Sequence, residues 1–164
     1  MPPAEGLDLR PGWRSADASL EADAVAFWER LKILPAGVDP VARAKELVAG
    51  CYKDGRLIAV QTAKLEVLDF VRARFAVIRS AVDPKARRSH AAATLAYFCR
   101  ELLDRWSLDN PAERLAGTAA YLESRELGEL QKEPYWPATR LMLARFLPDG
   151  RQVRLGWFDH YRTD

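Results

Sequence analysis

Two long runs of alternating residues follow each other in this chain, and a long helix-forming run comes directly after them. RLIAVQTAKLEVL at 56–68 sets Leu57, Ala59, Gln61, Ala63 and Leu65 on one face and Ile58, Val60, Thr62 and Lys64 on the other. VRARFAVIRSAV at 71–82 repeats the pattern, with Val71, Ala73, Phe75, Val77, Arg79 and Ala81 on one side. A period of two over many residues predicts β-strands. The second strand must stop near Asp83–Pro84, because proline donates nothing to a ladder. KARRSHAAATLAYFCRELLDRW, 85–106, is rich in good helix formers. Ala91, Leu95, Phe98, Leu102 and Trp106 recur along it at i, i+4, i+7 spacing and predict one buried face.

The flanking segments complete a mixed pattern. An edge strand is expected near Leu7–Arg10. A helix is expected at 20–33, with Ser19 as N-cap and Leu20, Ala24, Phe27, Trp28 and Leu31 at helical spacing. PAGVDP interrupts it, and a helical or mixed stretch runs from Pro40 through VARAKELVAGCY. Asp54–Gly55 reads as a hairpin turn. A strand at 114–123, a short helix over ESRELGELQKE, a rigid PYWP connector and a strand–Pro-Asp-Gly–strand ending follow. This order predicts an α+β fold with a mixed, mostly antiparallel central sheet flanked by helices. A chain of 164 residues suits a single domain, 1–164.

Composition excludes several classes. Apolar residues make up 49% and charged residues 29%, which is globular and not disordered, collagen-like or disulfide-stapled. No apolar run approaches the ~20 residues that span a bilayer, so no membrane partner is expected. MPPAEGLDLR lacks a basic region followed by an apolar core, so no secretory leader is expected. Cys51 and Cys99 read as small buried apolar residues in a reducing cytoplasm. His90 and His160 have no pairing by spacing, which argues against zinc or another metal. No G-x-S-x-G elbow or Walker A run supports a hydrolase or an NTPase.

Charge is uneven. The net value is only +2, yet residues 71–106 carry eight basic and three acidic side chains. Residues 1–70 carry nine and eleven, and residues 107–164 carry eight and nine. The excess in one middle segment suggests an anionic partner at one place. Nucleic-acid binding through Arg72, Arg74, Lys85, Arg87 and Arg88 is disfavoured by the low net charge and the lack of a second basic patch.

The junction VDPKARRSHAAATL, 82–95, concentrates the chemistry. A strand runs into a helix N-terminus, where free N–H groups and the positive dipole end gather, and Lys85, Arg87 and Arg88 crowd the same turn. Such a turn suits a phosphate or pyrophosphate. The plainer alternative has the arginines solvated and Ser89 capping the helix. At these residues the sequence resembles the GCN5-related N-acetyltransferase superfamily, whose acyl-CoA loop reads V-x-P-x-x-R-x-x-G-x-G/A before a leucine. Val82, Pro84, Arg87 and Ala92 match at that spacing and Leu95 follows, while His90 stands at the first glycine. An alternative register with Arg88, Ala91 and Ala93 removes the histidine but loses the spacing from Pro84. The likeness rests on about five positions and on the element order of most of the chain.

The resemblance implies an acyl-CoA N-acyltransferase that uses acetyl-CoA, or another acyl-CoA, as co-substrate. Its pyrophosphate would lie on the backbone of Arg87, Arg88, Ser89, His90, Ala91 and Ala92, and its pantetheine arm along the strand that ends at Val82. A histidine at the glycine position keeps the N–H and adds a Cβ and an imidazole; a helical φ would let it still cradle phosphate. The family's acid is often a tyrosine after the fifth strand and its base often a glutamate on a central strand. Tyr121 and Tyr135 are therefore candidate acids, and Glu66 and Glu123 candidate bases. The family's asparagine-and-tyrosine signature is not recognisable. Trp136, between Pro134 and Pro137, is a candidate acceptor-pocket wall. The implied reaction is direct attack of a small-molecule or peptide amine in a ternary complex. A second implied function is a non-catalytic fold member that binds a CoA species or a protein partner, and the two strands of the C-terminal hairpin leave room for a homodimer.

Overall fold

The computed structural model describes residues 5–163. Eight strands lie in the order β1-β2-β3-β4-β5-β8-β7-β6. Strands β4 and β5 pair in parallel, while β1–β2, β2–β3, β5–β8, β6–β7 and β7–β8 pair antiparallel. Among the described residues, four α-helices accompany the sheet. This is the mixed, mostly antiparallel α+β architecture expected from the element order. Among those residues no helix is long and apolar enough to cross a membrane. Packing gathers the chain into two compact units, Met1–Ala63 with Arg79–Leu102, and Lys64–Ile78 with Leu103–Asp164.

In the first unit, β1 is Leu7–Pro11 and α1 is Ala18–Leu31. The cap of α1 is Asp17, not Ser19. Its carboxylate accepts from the Leu20 N–H at 3.0 Å, so the helix starts two residues earlier than expected. Leu20, Ala24, Phe27 and Trp28 form its buried face. They pack with Leu47, Tyr52, Leu57 and Val60. The stretch after Pro40 splits into α2, Pro40–Ala44, and β2, Leu47–Lys53. Every residue of β2 but Lys53 is buried, so it shows no alternation. Asp54 and Gly55 both take positive φ, at 50° and 75°, and turn the chain into β3, Arg56–Leu68.

Strand β4 spans Ala73–Val82; it begins past Arg72, which takes φ +51° in the preceding turn. Its pairing with β5, Leu115–Tyr121, runs from Arg74↔Leu115 to Ile78↔Ala120. Helix α3 spans Ala91–Asp109 and so starts six residues later than the sequence suggested. Its buried line is Ala91, Leu95, Cys99 and Leu103 at steps of four, whereas Phe98, Leu102 and Trp106 are half-buried. Ala91 and Cys99 alternate with Leu95 and Leu103 along the inward line. Cys51 and Cys99 are free and buried, and burial pushes the Cys51 thiol up to about 11.

In the second unit, Ser124 caps α4, Arg125–Leu130. The PYWP segment is not a connector. Tyr135 and Trp136 form β6, which pairs with Met142 and Leu141 of β7, Leu141–Phe146. Strand β8, Gln152–Trp157, is buried along most of its length between β5 and β7. The exposed side of the hairpin is therefore β7 alone, through Met142 and Phe146. Gly117 of β5 is required by close approach, since a Cβ there would lie 2.0 Å from the Gly156 carbonyl oxygen.

Candidate functional site

The strand-to-helix turn of the first unit is built around Asp83. Its backbone N–H donates to the Ile58 carbonyl at 2.8 Å, which holds the turn to β3. Its side chain accepts from the Lys85 N–H at 2.9 Å and starts a 3-10 turn, Pro84–Ala86. The Arg30 guanidinium donates to the same carboxylate at 2.9 Å, and Arg56 stands 3.8 Å away. The Lys85 N–H, then Arg30 and Arg56, hold this buried carboxyl below the usual range against the opposing effect of burial. Its charge is engaged by those partners.

The residues after it form the cradle. Arg87 is still helical, at φ −57° and ψ −26°. Ser89 donates its N–H and its hydroxyl to the Ala86 carbonyl, at 3.0 and 2.6 Å, so it closes the turn rather than capping α3. His90 takes φ +61°. That is the left-handed conformation glycine adopts without strain, not the helical φ at which a histidine sits easily. The helical φ expected at His90 is therefore not what the turn adopts. The Thr94 N–H bonds the His90 carbonyl at 3.0 Å and opens the helical ladder. The N–H groups of Ala91, Ala92 and Ala93 precede that first bond, at the positive end of a 19-residue helix.

Lys85, Arg87, Arg88 and His90 are exposed around these N–H groups. The cations lie in the turn before α3, not in its first turn as the sequence suggested. Two other cations of the basic segment face carboxylates away from this turn: Arg74 pairs with Glu113, and Arg79 lies 3.8 Å from Glu46. Ala91 is buried and Ala92 exposed, while Val82 is half-buried at the end of β4.

The acid–base candidates belong to the second unit. Tyr121 ends β5 and is half-buried. Burial raises its hydroxyl pKa first, the Glu66 carboxylate raises it further, and Arg145 opposes both. A tyrosine so placed stays protonated through neutral pH and can donate. Glu66, on β3, is half-buried within the field of that hydroxyl. Glu123 is exposed in the bend beyond β5, and Tyr135 is 44% exposed on β6. Trp136 does not stand as an open wall: the Arg154 guanidinium lies 3.8 Å over its ring.

Two features had no signal in residue spacing. Arg154 is fully buried and donates to Gln152 at 3.0 Å and to the Gln131 and Glu133 carbonyls at 2.9 and 2.8 Å. It thereby fixes the segment between α4 and β6 that carries Tyr135. His160 Nδ1 lies 3.0 Å from Asp104, and its Nε2 lies 2.9 Å from Ser107 Oγ.

No family model matches this sequence, and no curated protein matches it. Solved structures do match. The Salmonella typhimurium protein yncA, solved with its cofactor acetyl-CoA, is similar with a TM-score of 0.65 at 12% identity, over 97% of this chain and 98% of that one. The ribosomal-protein-S5-alanine acetyltransferase of Vibrio fischeri gives 0.59 at 8% identity, over 97% of each chain. A GNAT-family acetyltransferase of Streptococcus pneumoniae gives 0.59 at 10% identity, over 92% of this chain and 99% of that one. Identities this low speak for shared architecture, and the strand order and helix placement agree with it. The chain has the fold of the GCN5-related N-acetyltransferase superfamily, the same group its 82–95 junction resembles.

Proposed function

We propose that this protein is an acyl-CoA-dependent N-acyltransferase that moves an acetyl group from acetyl-CoA to an amine by direct attack in a ternary complex. The observation that carries this reading is the 83–92 turn. Its left-handed His90 leads into the open N–H groups of α3, ringed by Lys85, Arg87 and Arg88. The donor set fits a pyrophosphate, because backbone N–H groups and a helix dipole suit phosphate oxygens and the exposed cations balance the two charges. Arg87, Arg88, Ser89, His90, Ala91 and Ala92 would hold that group. Strand β4 beyond Ile78 would offer backbone groups to the pantetheine arm, ending at Val82.

Acetyl-CoA supplies the activated thioester. Glu66 is the favoured base for the ammonium proton of the acceptor, directly or through water, and Tyr121 the favoured donor to the departing thiolate. Their half-buried positions and mutual field support this pair over the exposed Glu123 and Tyr135. The ammonium gives one proton to Glu66, the nitrogen bonds the acyl carbon, the nitrogen loses its second proton as the carbon–sulfur bond breaks, and the sulfur takes a proton from Tyr121.

Calorimetric titration with acetyl-CoA tests the reading. Binding is expected, with at least a tenfold loss in Arg87→Glu and an unchanged melting temperature. No binding at millimolar ligand, or equal binding by the variant, overturns it. Acetyl-CoA binding without thiol release across a broad amine panel would instead favour a non-catalytic CoA-binding protein, which the extra Cβ at His90 makes the competing function.

A further inference from the structure

The face of the first unit under α2 holds a charge cluster that the acyl-donor turn does not use. Arg43 and Glu46 are three residues apart at the α2–β2 junction, and Arg79 reaches the same place from β4. Arg43 Nε lies 3.5 Å from Glu46 Oε2, and Arg79 Nη1 lies 3.8 Å from that same oxygen. Charge-assisted bonds normally close to about 2.7–2.9 Å. Glu46 Oε2 is buried and accepts no hydrogen bond among the described residues. Two guanidiniums thus converge on one carboxylate oxygen, and neither forms a hydrogen bond with it.

The cluster carries an uncompensated positive charge, two cations to one anion. Arg43 is only 16% exposed, and burial followed by the Arg79 charge lowers its pKa. A purely structural ion pair would be expected to close its contacts, because an unneutralised buried guanidinium is costly. Arg79, 45% exposed, leaves the cluster open to solvent. It shares its strand face with Ala81, which packs against the α1 core. It also lies three residues before Val82, roughly 10 Å along the strand that leads into the 83–92 turn.

We propose that Arg43 and Arg79 bind a carboxylate, and that the acceptor of this protein is an amine that also carries a carboxylate, of the amino-acid type. The substrate class rests on the acyl-transfer reading above, whereas the carboxylate site rests on the cluster alone. A monoanion matches the single excess charge, and the planar guanidinium forks suit a carboxylate. Glu46 holds the arginines in place and competes with the ligand for them.

The test titrates the full chain with N-acetylglycine and N-acetylglutamate and with their uncharged amides, with and without CoA. The carboxylates are expected to bind at least tenfold more tightly than the amides. Arg79→Gln is expected to remove that preference. Glu46→Gln is the discriminating variant. Removing the competitor should tighten carboxylate binding several-fold, whereas a purely structural ion pair predicts a lower melting temperature and no gain. Equal binding of carboxylates and amides by the native chain overturns the inference. So does a native preference that survives in Arg79→Gln, or no gain in a folded Glu46→Gln. Tighter binding of inorganic phosphate than of any carboxylate probe overturns the ligand class. Loss of acetyl-CoA binding with carboxylate preference intact would sink only the acyl-transfer reading. Intact acetyl-CoA binding without the preference would sink only this one.

Discussion

The Arg30 guanidinium donates to the Asp83 carboxylate at 2.9 Å, across 53 residues of chain. Asp83 is the one acidic side chain within the 82–95 junction. Left unpaired, it would face the basic turn that follows it. Paired to Arg30 and to the Lys85 N–H, it organises the turn and leaves Lys85, Arg87 and Arg88 as the charge that a ligand meets.

Asp83→Asn should lower stability by about 1–2 kcal/mol at neutral pH, because the charge is lost and one amide oxygen replaces the two that accept from Arg30 and the Lys85 N–H. The folded carboxyl lies below its usual value. Its contribution is therefore fully present above the unfolded pKa, about 3.9, and is lost as pH falls through the folded one. Urea unfolding of both proteins between pH 7 and pH 3 should show the gap closing only below about pH 4. A gap independent of pH would contradict the pairing.

His90 carries a side chain at φ +61°. His90→Gly should relieve backbone strain of roughly 1 kcal/mol, partly offset by the greater freedom of glycine in the unfolded chain. It should also tighten acetyl-CoA binding, since the Cβ beside the turn is removed. His90→Val should destabilise by about 1–2 kcal/mol, because a β-branched residue tolerates this conformation poorly. Thermal unfolding together with acetyl-CoA titration checks both. Equal stability of the three proteins would mean that the left-handed conformation is absent.

Tyr121→Phe should reduce kcat by roughly a hundredfold and leave acetyl-CoA affinity unchanged, if its hydroxyl protonates the thiolate. Because burial and Glu66 raise its pKa, any loss of native rate from tyrosine ionisation should set in at higher pH than for a free tyrosine. Steady-state kinetics from pH 6 to 10 on an amine that supports turnover provides the measurement. A variant with native kcat would remove Tyr121 from the chemistry.

Gly117→Ala should cost more than about 3 kcal/mol or abolish folding. The added methyl would meet the Gly156 backbone, which cannot rotate away as a side chain can. Gly55→Ala, in an open turn with nothing within 4 Å, should cost only about 1 kcal/mol for its φ of +75°. Chemical denaturation of the two variants separates crowding from backbone strain.

Local pattern was a good guide where a long run of strand formers is bounded by a turn. Strand β3 occupies Arg56–Leu68, the full run of the stretch, although Leu57–Ala63 are buried on both faces. The Asp54–Gly55 turn falls between β2 and β3 as its chemistry requires. Pattern was a poor guide where the run is short or where packing selects among similar residues. Strand β2 has no alternation to read, and Tyr135–Trp136 became a strand only because β7 offers it a partner. Ser19 and Asp17 are equally good caps in composition, and it is Asp17 whose side chain accepts from the Leu20 N–H. The inward stripe of α3 follows Cys99 and Leu103 rather than Phe98 and Leu102.

What the amino-acid order alone determined was the succession of elements, the basic turn at 85–88 and the match of Val82, Pro84, Arg87 and Ala92 to an acyl-CoA loop. Those depend on periodicity, proline and charge within a few residues. Tertiary structure decided which charges are spent and which remain. Arg30 reaches Asp83 from α1, Arg79 reaches Glu46 from β4, and the buried Arg154 stacks on Trp136. It also bent His90 into a glycine's conformation. A side chain's partner is set by folding in three dimensions, and no spacing along the chain encodes it.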